Sequence, residues 1–587
     1  MAATALHAEE DGTTAVSREQ ERGWDSPRLL RGAAVVIIAV GALLRISNWL
    51  GNRSLWFDEV AYALNVVSRS FAELLRPLDF DQTAPFLFSW AQRAMTQLFG
   101  VNEYALRLVP LLSGILLLVL LWWFVQRTFG LETALVATIG AAFSLRLLHY
   151  STEAKAYGVD ACITVVLLVL ALGVMRHPER APRWWSLVLG GAIAVLASLP
   201  AIMVLGGVAA ALILSRRVRG SGAWRSRLAA AAILWALLFV ALCLTVYRPT
   251  PAGHAYQQAY WAPTLLVPGA PHFVARVVRF AGIVLVSPFD REAPPLILAA
   301  CYAVTFAVGL LVIARRSDGI ELLALLLVPL LSVALASAIG LYPLGSRLLL
   351  FVAPLTVIVD AAALVFLVGL PAPRLRRAFY PALVLGLLVW LLPRTRDYAR
   401  SRERPEDTRP LIARITASAA RDPVYVYSTG VPAWTFYTTD WKHPDLARVR
   451  RMAKLVNAGG PAFYYVPHRG HAVQGEGDSL TFVYNGRREI IGVGSGIFQA
   501  SGDVAATHDS ADSGWAENEV RRTLAQSDTA AWVEMSSWTS SNEVAALVSA
   551  FRRSGWVISE FDSTGSLALV FRISGPTPRA STRARRP

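Results

Sequence analysis

The chain has 587 residues, of which 55% are hydrophobic and 17% charged, with a mean hydropathy of +0.45. It is far more apolar than a soluble globular protein of this size, which excludes disorder, a collagen-like fibre and a secreted disulfide scaffold. A net charge of +15 would suggest nucleic acid in a soluble protein, but here the arginines fall in short clusters between apolar runs, as membrane topology requires.

Residues 1–30 are polar and read as a disordered tail. No small-residue cleavage motif follows, so the first apolar run is expected to be a retained span rather than a signal peptide. A bilayer core takes about 20 apolar residues per helix. Eleven runs qualify as spans, near 33–49, 105–125, 132–148, 156–174, 185–199, 201–214, 228–246, 295–314, 320–341, 347–370 and 379–393. Pro200 would mark a tight hairpin between two short spans. Cys162, Cys243 and Cys301 lie singly inside apolar runs, with no spacing that could hold zinc, and read as small hydrophobes.

Short cytoplasmic loops carry the excess of Lys and Arg. Arg176, Arg180 and Arg183, the cluster Arg216 to Arg227, Arg315 with Arg316, and Arg374 to Arg377 occupy one set of alternate loops, which places those loops inside. Eleven crossings then put the N-terminus in the cytoplasm and everything after about 394 outside. The opposite loops differ in character: 51–103 holds four arginines against six carboxylates, and 247–292 is long, aromatic and proline-rich. Within the first of these, apolar residues at helical spacing predict short interfacial helices over 59–70 and 85–99.

After 395 the composition becomes that of a soluble domain. The runs 424–427, 462–465, 480–483, 531–533 and 567–570 read as strands and 541–554 as a helix, so 396–574 is expected to form an extracytoplasmic α/β domain. Residues 575–587, with three prolines and four arginines, read as a disordered basic tail.

Three segments could carry chemistry. Trp56-Phe57-Asp58-Glu59 places a carboxylate pair at the interface, where the bland reading is Asp58 as the N-cap of a helix beginning near Glu59. His149 to Tyr157 holds Glu153 and Lys155 in a loop short enough to force them to the membrane face, with Asp160 a turn into the next helix; a self-neutralising pair is the alternative. Tyr342 to Arg347 presents a guanidinium that could snorkel to headgroups or grip a phosphate.

Taken together, Trp56 to Tyr62, Asp81 to Phe86, Phe99 to Leu108, Tyr150 to Tyr157 and Ser346-Arg347 resemble the integral-membrane GT-C glycosyltransferases, in particular the bacterial RgtA/B/C/D-like enzymes. That group is related to protein O-mannosyltransferases and lipid A aminoarabinose transferases. The resemblance covers about 30–395 and implies a GT-C-like transmembrane catalytic domain over 31–395. It further implies a polyprenyl-phosphate sugar donor used on the extracytoplasmic face of a bacterial inner membrane, with the first-loop aspartate in the active site. The chain departs from the pattern at Asp81-Gln82-Thr83-Ala84-Pro85, where a His-Pro-Pro is common, at Lys155, where Arg is common, and at Leu348, where Tyr is frequent.

The expected activity is inverting transfer of one sugar to a hydroxyl of an envelope glycan, lipid or protein. Asp58 is the base, Glu59 or Glu153 orients substrate, Lys155 and Arg347 neutralise the leaving phosphate, and Asp81 and Tyr157 contact substrate. No cofactor is required; a divalent cation, Mg or Mn, would fall to Asp58 and Asp81. The alternatives are a lipid-linked-sugar flippase and an oligosaccharide ligase or polymerase.

Overall fold

The computed structural model describes residues 26–286, 296–370, 373–401, 406–418, 421–462, 480–493, 513–527, 529–536, 541–564 and 568–575. Most of the N-terminal tail, the basic C-terminal tail, the end of the 247–292 loop and the expected strand residues 463–465 lie outside the described residues. The chain divides into two compact units. One comprises 1–51, 107–242 and 264–402, and the other 52–106, 243–263 and 403–587.

The first unit is helical, and the chain is a multi-pass membrane protein. Among the described residues, eight helices are long and apolar enough to cross a bilayer; three shorter apolar helices, Leu131–Ala142, Ala181–Ala197 and Ala201–Leu214, accompany them. The run 185–214 does break before Pro200. The run 132–148 breaks too, which the apolar pattern conceals: Leu131–Ala142 ends at Phe143, and Leu145–Tyr150 restarts with Ser144 as N-cap, its Oγ accepting from the Leu147 amide at 3.2 Å. The run 347–370 also starts late, because 345–349 is a turn and the α-helix Ala353–Gly369 follows a short 3₁₀ segment. Close helix crossings depend on missing side chains. A Cβ at Gly207, on Ala201–Leu214, would lie 2.8 Å from Pro329 Cδ of Gly319–Ala338.

Arg45 sits fully buried in the first spanning helix, Pro27–Leu50, and its guanidinium has a structural task. Its Nη atoms donate to the carbonyls of Gly41 at 2.9 Å, Ala142 at 3.2 Å and Ala141 at 3.1 Å. The last two belong to the C-terminal end of Leu131–Ala142, where carbonyls lack helical partners and a cation also complements the helix dipole.

The second unit gathers the first external loop, the start of the 247–292 loop and the C-terminal segment. The expected loop helices appear as Phe57–Ser68 and Phe86–Phe99. The first is enclosed rather than interfacial, since every residue from Glu59 to Val67 is buried. The segment 247–292 is not simply loop: it contains Pro251–Trp261 in this unit and Phe273–Val286 in the first.

The C-terminal segment is α/β, with strands β1 (Val424–Val426), β2 (Thr481–Tyr484), β3 (Arg487–Ile491), β4 (Ala530–Ser536), β5 (Val557–Thr564) and β6 (Ala568–Ser574). They form one sheet in the order β2-β3-β1-β4-β6-β5, with β1 parallel to β3 and β4 and the remaining pairs antiparallel. β3 and β5 escape the apolar-run reading because both alternate or carry charge. The β2–β3 turn uses Asn485 and Gly486, both with positive φ, as a two-residue hairpin demands. Tyr425, Val533, Leu547, Phe551 and Phe571 are among the residues of the packed core.

Glu534, on β4, is 1% exposed, and burial, aided by nearby Glu406, pushes its carboxyl up to about 8. The folded form therefore holds a proton that the unfolded chain releases near pH 4.5, so stability falls as pH rises from about 4.5 to 8. The loss should reach about 3 kcal/mol at pH 7. The protection of the β4 amides against hydrogen exchange, taken relative to the base-catalysed exchange of an unstructured chain at the same pH, should fall across that window in the full chain, and Glu534→Gln should flatten the dependence. Protection that stays constant with pH in the wild type would contradict this account.

Candidate active site

Asp58, Glu59 and Asp81 belong to one compact unit, and Glu153, Lys155, Tyr157 and Arg347 to the other. Each set has its own local architecture.

Asp58 is the second residue of helix Phe57–Ser68, half-buried in its first turn, where the helix dipole favours a carboxylate. It is not the N-cap. That position is Trp56, and the capping carboxylate is the buried Glu59, whose Oε2 accepts from the Trp56 amide at 3.3 Å. The carboxylate pair thus separates into a structural member and one left at the helix entrance. Gln82 Nε2 donates to Asp58 Oδ1 at a long 3.4 Å.

The polar groups that hold this helix entrance come from far along the chain. Glu406 Oε2 accepts from the Phe57 amide at 2.8 Å, the Leu55 amide donates to Tyr437 Oη at 2.8 Å, and Ser54 Oγ bonds Asp407. Arg409 spans Glu103 Oε1 at 2.8 Å and the Asn52 carbonyl at 2.7 Å. These partners escape a sequence reading because more than 300 residues separate them from 52–57 and no local pattern marks them.

Asp81 stands in a turn in which both Phe80 (φ 61°) and Asp81 (φ 52°) are left-handed, a conformation costly for non-glycine residues. Side-chain and backbone bonds hold it. Asp81 Oδ2 accepts from the Ala458 amide at 2.8 Å, the Phe80 amide donates to Asn457 Oδ1 at 2.5 Å, and Gln257 Nε2 reaches the Asp81 carbonyl at 3.4 Å. Burial, with Asp79 adding repulsion, raises the Asp81 carboxyl to about 6 against the pull of the Ala458 amide. Asp58 and Asp81 each already face an N–H donor. Among the described residues no three His, Cys, Asp or Glu side chains gather as metal ligands.

In the other unit the segment after Leu145–Tyr150 folds tightly. Glu153 and Lys155 are both buried, and the Lys155 amide donates to the Glu153 carbonyl at 2.7 Å. His149 lies between Tyr398 and Glu153, with Nδ1 2.7 Å from Tyr398 Oη and Nε2 3.4 Å from Glu153 Oε2. Asn48 Nδ2 donates to Thr152 Oγ1 at 2.5 Å. The Arg347 guanidinium lies 6.0 Å from the centroid of the Tyr157 ring, within cation–π reach, and Tyr150 packs edge-on to Tyr157 at 5.5 Å. Two segments almost 200 residues apart thereby bring Arg347 to the loop carrying Glu153 and Lys155. Carboxylate, ammonium, phenol and guanidinium together suit an anion carried next to a polar group. His149, Asn48 and Tyr398 act here as supports; only His149 stood in a segment marked by the sequence.

Residues 83–245 match the family model for dolichyl-phosphate-mannose-protein mannosyltransferase. That segment is similar to the O-mannosyltransferase family. The mannosyltransferase-like segment contains Glu153, Lys155 and Tyr157, while Asp58, Asp81 and Arg347 fall outside it. No curated protein matches the chain. Among solved structures, ArnT from Cupriavidus metallidurans aligns in the apo state at 14% identity and a TM-score of 0.48, and bound to undecaprenyl phosphate at 14% and 0.47. Both alignments cover 92% of this chain and 98% of the other. The Archaeoglobus fulgidus oligosaccharyltransferase tethered to an acceptor peptide aligns at 13% identity and a TM-score of 0.46, over 70% of this chain and 63% of that one.

Proposed function

We propose that the protein is a glycosyltransferase that moves a single sugar from a polyprenyl-phosphate donor to a hydroxyl of an envelope glycan, lipid or protein. The match of 83–245 to a family named for a dolichyl-phosphate-mannose donor carries this reading, because that segment holds the buried Glu153–Lys155 turn beside Tyr157. The protein works in the inner membrane of a bacterium, with its N-terminus in the cytoplasm and its C-terminal domain outside. The arginine-rich loops support that orientation.

The chemistry asks little of the protein beyond positioning and charge. A phosphate leaves as an anion and needs almost no protonation, so fixed cations stabilise the charge that grows on the bridging oxygen. Arg347 and Lys155 supply them. Asp58 takes the acceptor's hydroxyl proton as that oxygen attacks the anomeric carbon, with inversion and without a covalent intermediate. Glu153 orients substrate and Tyr157 contacts it, while Glu59 keeps the helix start that carries Asp58.

Purified full-length protein in lipid nanodiscs, given radiolabelled polyprenyl-phosphate sugars and an envelope extract, should transfer label to an acceptor. Translocation of the donor across vesicles without any transfer would overturn the assignment and support a flippase.

A further inference from the structure

The second unit contains a cavity of about 620 Å³ in which three distant stretches meet: 77–83, 246–257 and 454–461. It has the construction of a binding site rather than a packing gap. Asp81, in the left-handed turn held by the Asn457 and Ala458 bonds described above, lines it. Gly253 lies against Asp81 so closely that a Cβ there would stand 2.9 Å from Asp81 Oδ1. Side-chain amides at Gln82, Gln257 and Asn457 and the Thr250 hydroxyl line it, with Tyr247 contributing an aromatic ring. Planar amides and a carboxylate match vicinal hydroxyls, and a ring matches the apolar face of a sugar.

The charges are unequally committed. Asp79 is paired with Arg69 at 2.6 Å, and one Asp81 oxygen is occupied by the Ala458 amide. Arg248 and Lys454 line the same cavity and make no hydrogen bond or ion pair among the described residues. Two uncommitted cations therefore face one partly engaged carboxylate.

We infer that this cavity binds a carbohydrate bearing an oxyanion, a uronate or a sugar phosphate, with Arg248 and Lys454 on the anionic group and the amides and Asp81 on the hydroxyls. Resting on the glycosyltransferase reading above, this ligand is the acceptor, and its class becomes an anionic envelope glycan. Arg248, Lys454 and the amide set come from three parts of the chain, so the site forms only when the C-terminal segment has folded onto the first loop.

The test is equilibrium binding to the full chain in nanodiscs with no donor present, which keeps its outcome independent of whether the protein transfers sugar. The probes are methyl glucuronoside, methyl glucoside, glucose 1-phosphate and inorganic phosphate. The two sugar anions should bind about tenfold more tightly than methyl glucoside. That advantage should shrink with added salt and vanish in the Arg248→Gln/Lys454→Gln double variant. Among the described residues neither side chain has a hydrogen-bond or ion-pair partner, so the variant should fold as the wild type does, which hydrogen exchange would verify. Equal affinity for neutral and anionic sugars, an undiminished advantage in the double variant, or inorganic phosphate binding as tightly as the sugar anions would each overturn the inference. Transfer activity with unchanged acceptor KM in the double variant would refute this pocket and leave the glycosyltransferase reading intact.

Discussion

Asp58→Asn is expected to bring sugar transfer down by about 10²–10⁴-fold, the usual range for losing a general base. The substitution keeps the shape of the side chain and its place in the first turn of Phe57–Ser68, and Gln82 can still face it, so folding and insertion should be unchanged. Asparagine cannot accept the acceptor's proton near neutral pH, so the loss belongs in the maximal rate rather than in substrate affinity. Glu59→Gln makes the contrast. Its carboxylate caps the Trp56 amide and glutamine still offers an acceptor there, so that variant should keep the helix start and retain most of its turnover. Radiolabel transfer measured for both variants, beside a thermal unfolding scan, separates the two roles. Near-normal turnover in Asp58→Asn would remove Asp58 as the base.

Arg347→Ala should weaken donor binding and lower the maximal rate together, by about 10²-fold or more in kcat/KM, since a fixed guanidinium stabilises the leaving phosphate more as the bond breaks. Lysine at 347 should recover only part of this, because a point charge replaces a planar fork that also lies within cation–π reach of Tyr157. Steady-state kinetics on donor and acceptor in turn decide the matter. A change confined to the acceptor KM would move Arg347 out of the phosphate site.

The sequence marks Asp58 and Arg347 on its own, but the supports of those residues were hidden. Asp58 and Glu59 look equivalent as neighbours in a loop; the fold turns one inward as a cap and leaves the other at the helix entrance. Arg347 looks like any interfacial arginine until Tyr157 is found beneath it. Glu406, Arg409 and Tyr437, which hold 52–57, belong to a segment with no readable motif, because a hydrogen bond to a backbone N–H or carbonyl leaves no sequence signature.

The apolar runs, their lengths and the arginines between them were enough to establish a multi-pass helical protein with a C-terminal α/β segment, because burial in hydrocarbon demands long apolar helices and buried strands show as short β-rich apolar runs. Composition could not show where helices break: 132–148 reads as one largely apolar run with charges at Glu132 and Arg146, yet Ser144 starts a new helix there. Nor could it show that Arg45, in an apolar run, satisfies the carbonyl ends of Leu131–Ala142, or that Asp81 is clasped by Ala458. Hydrophobic periodicity is a property of neighbouring residues, whereas capping, pairing and cavity formation depend on groups that meet only after the chain has folded, and those meetings were decided by the tertiary structure alone.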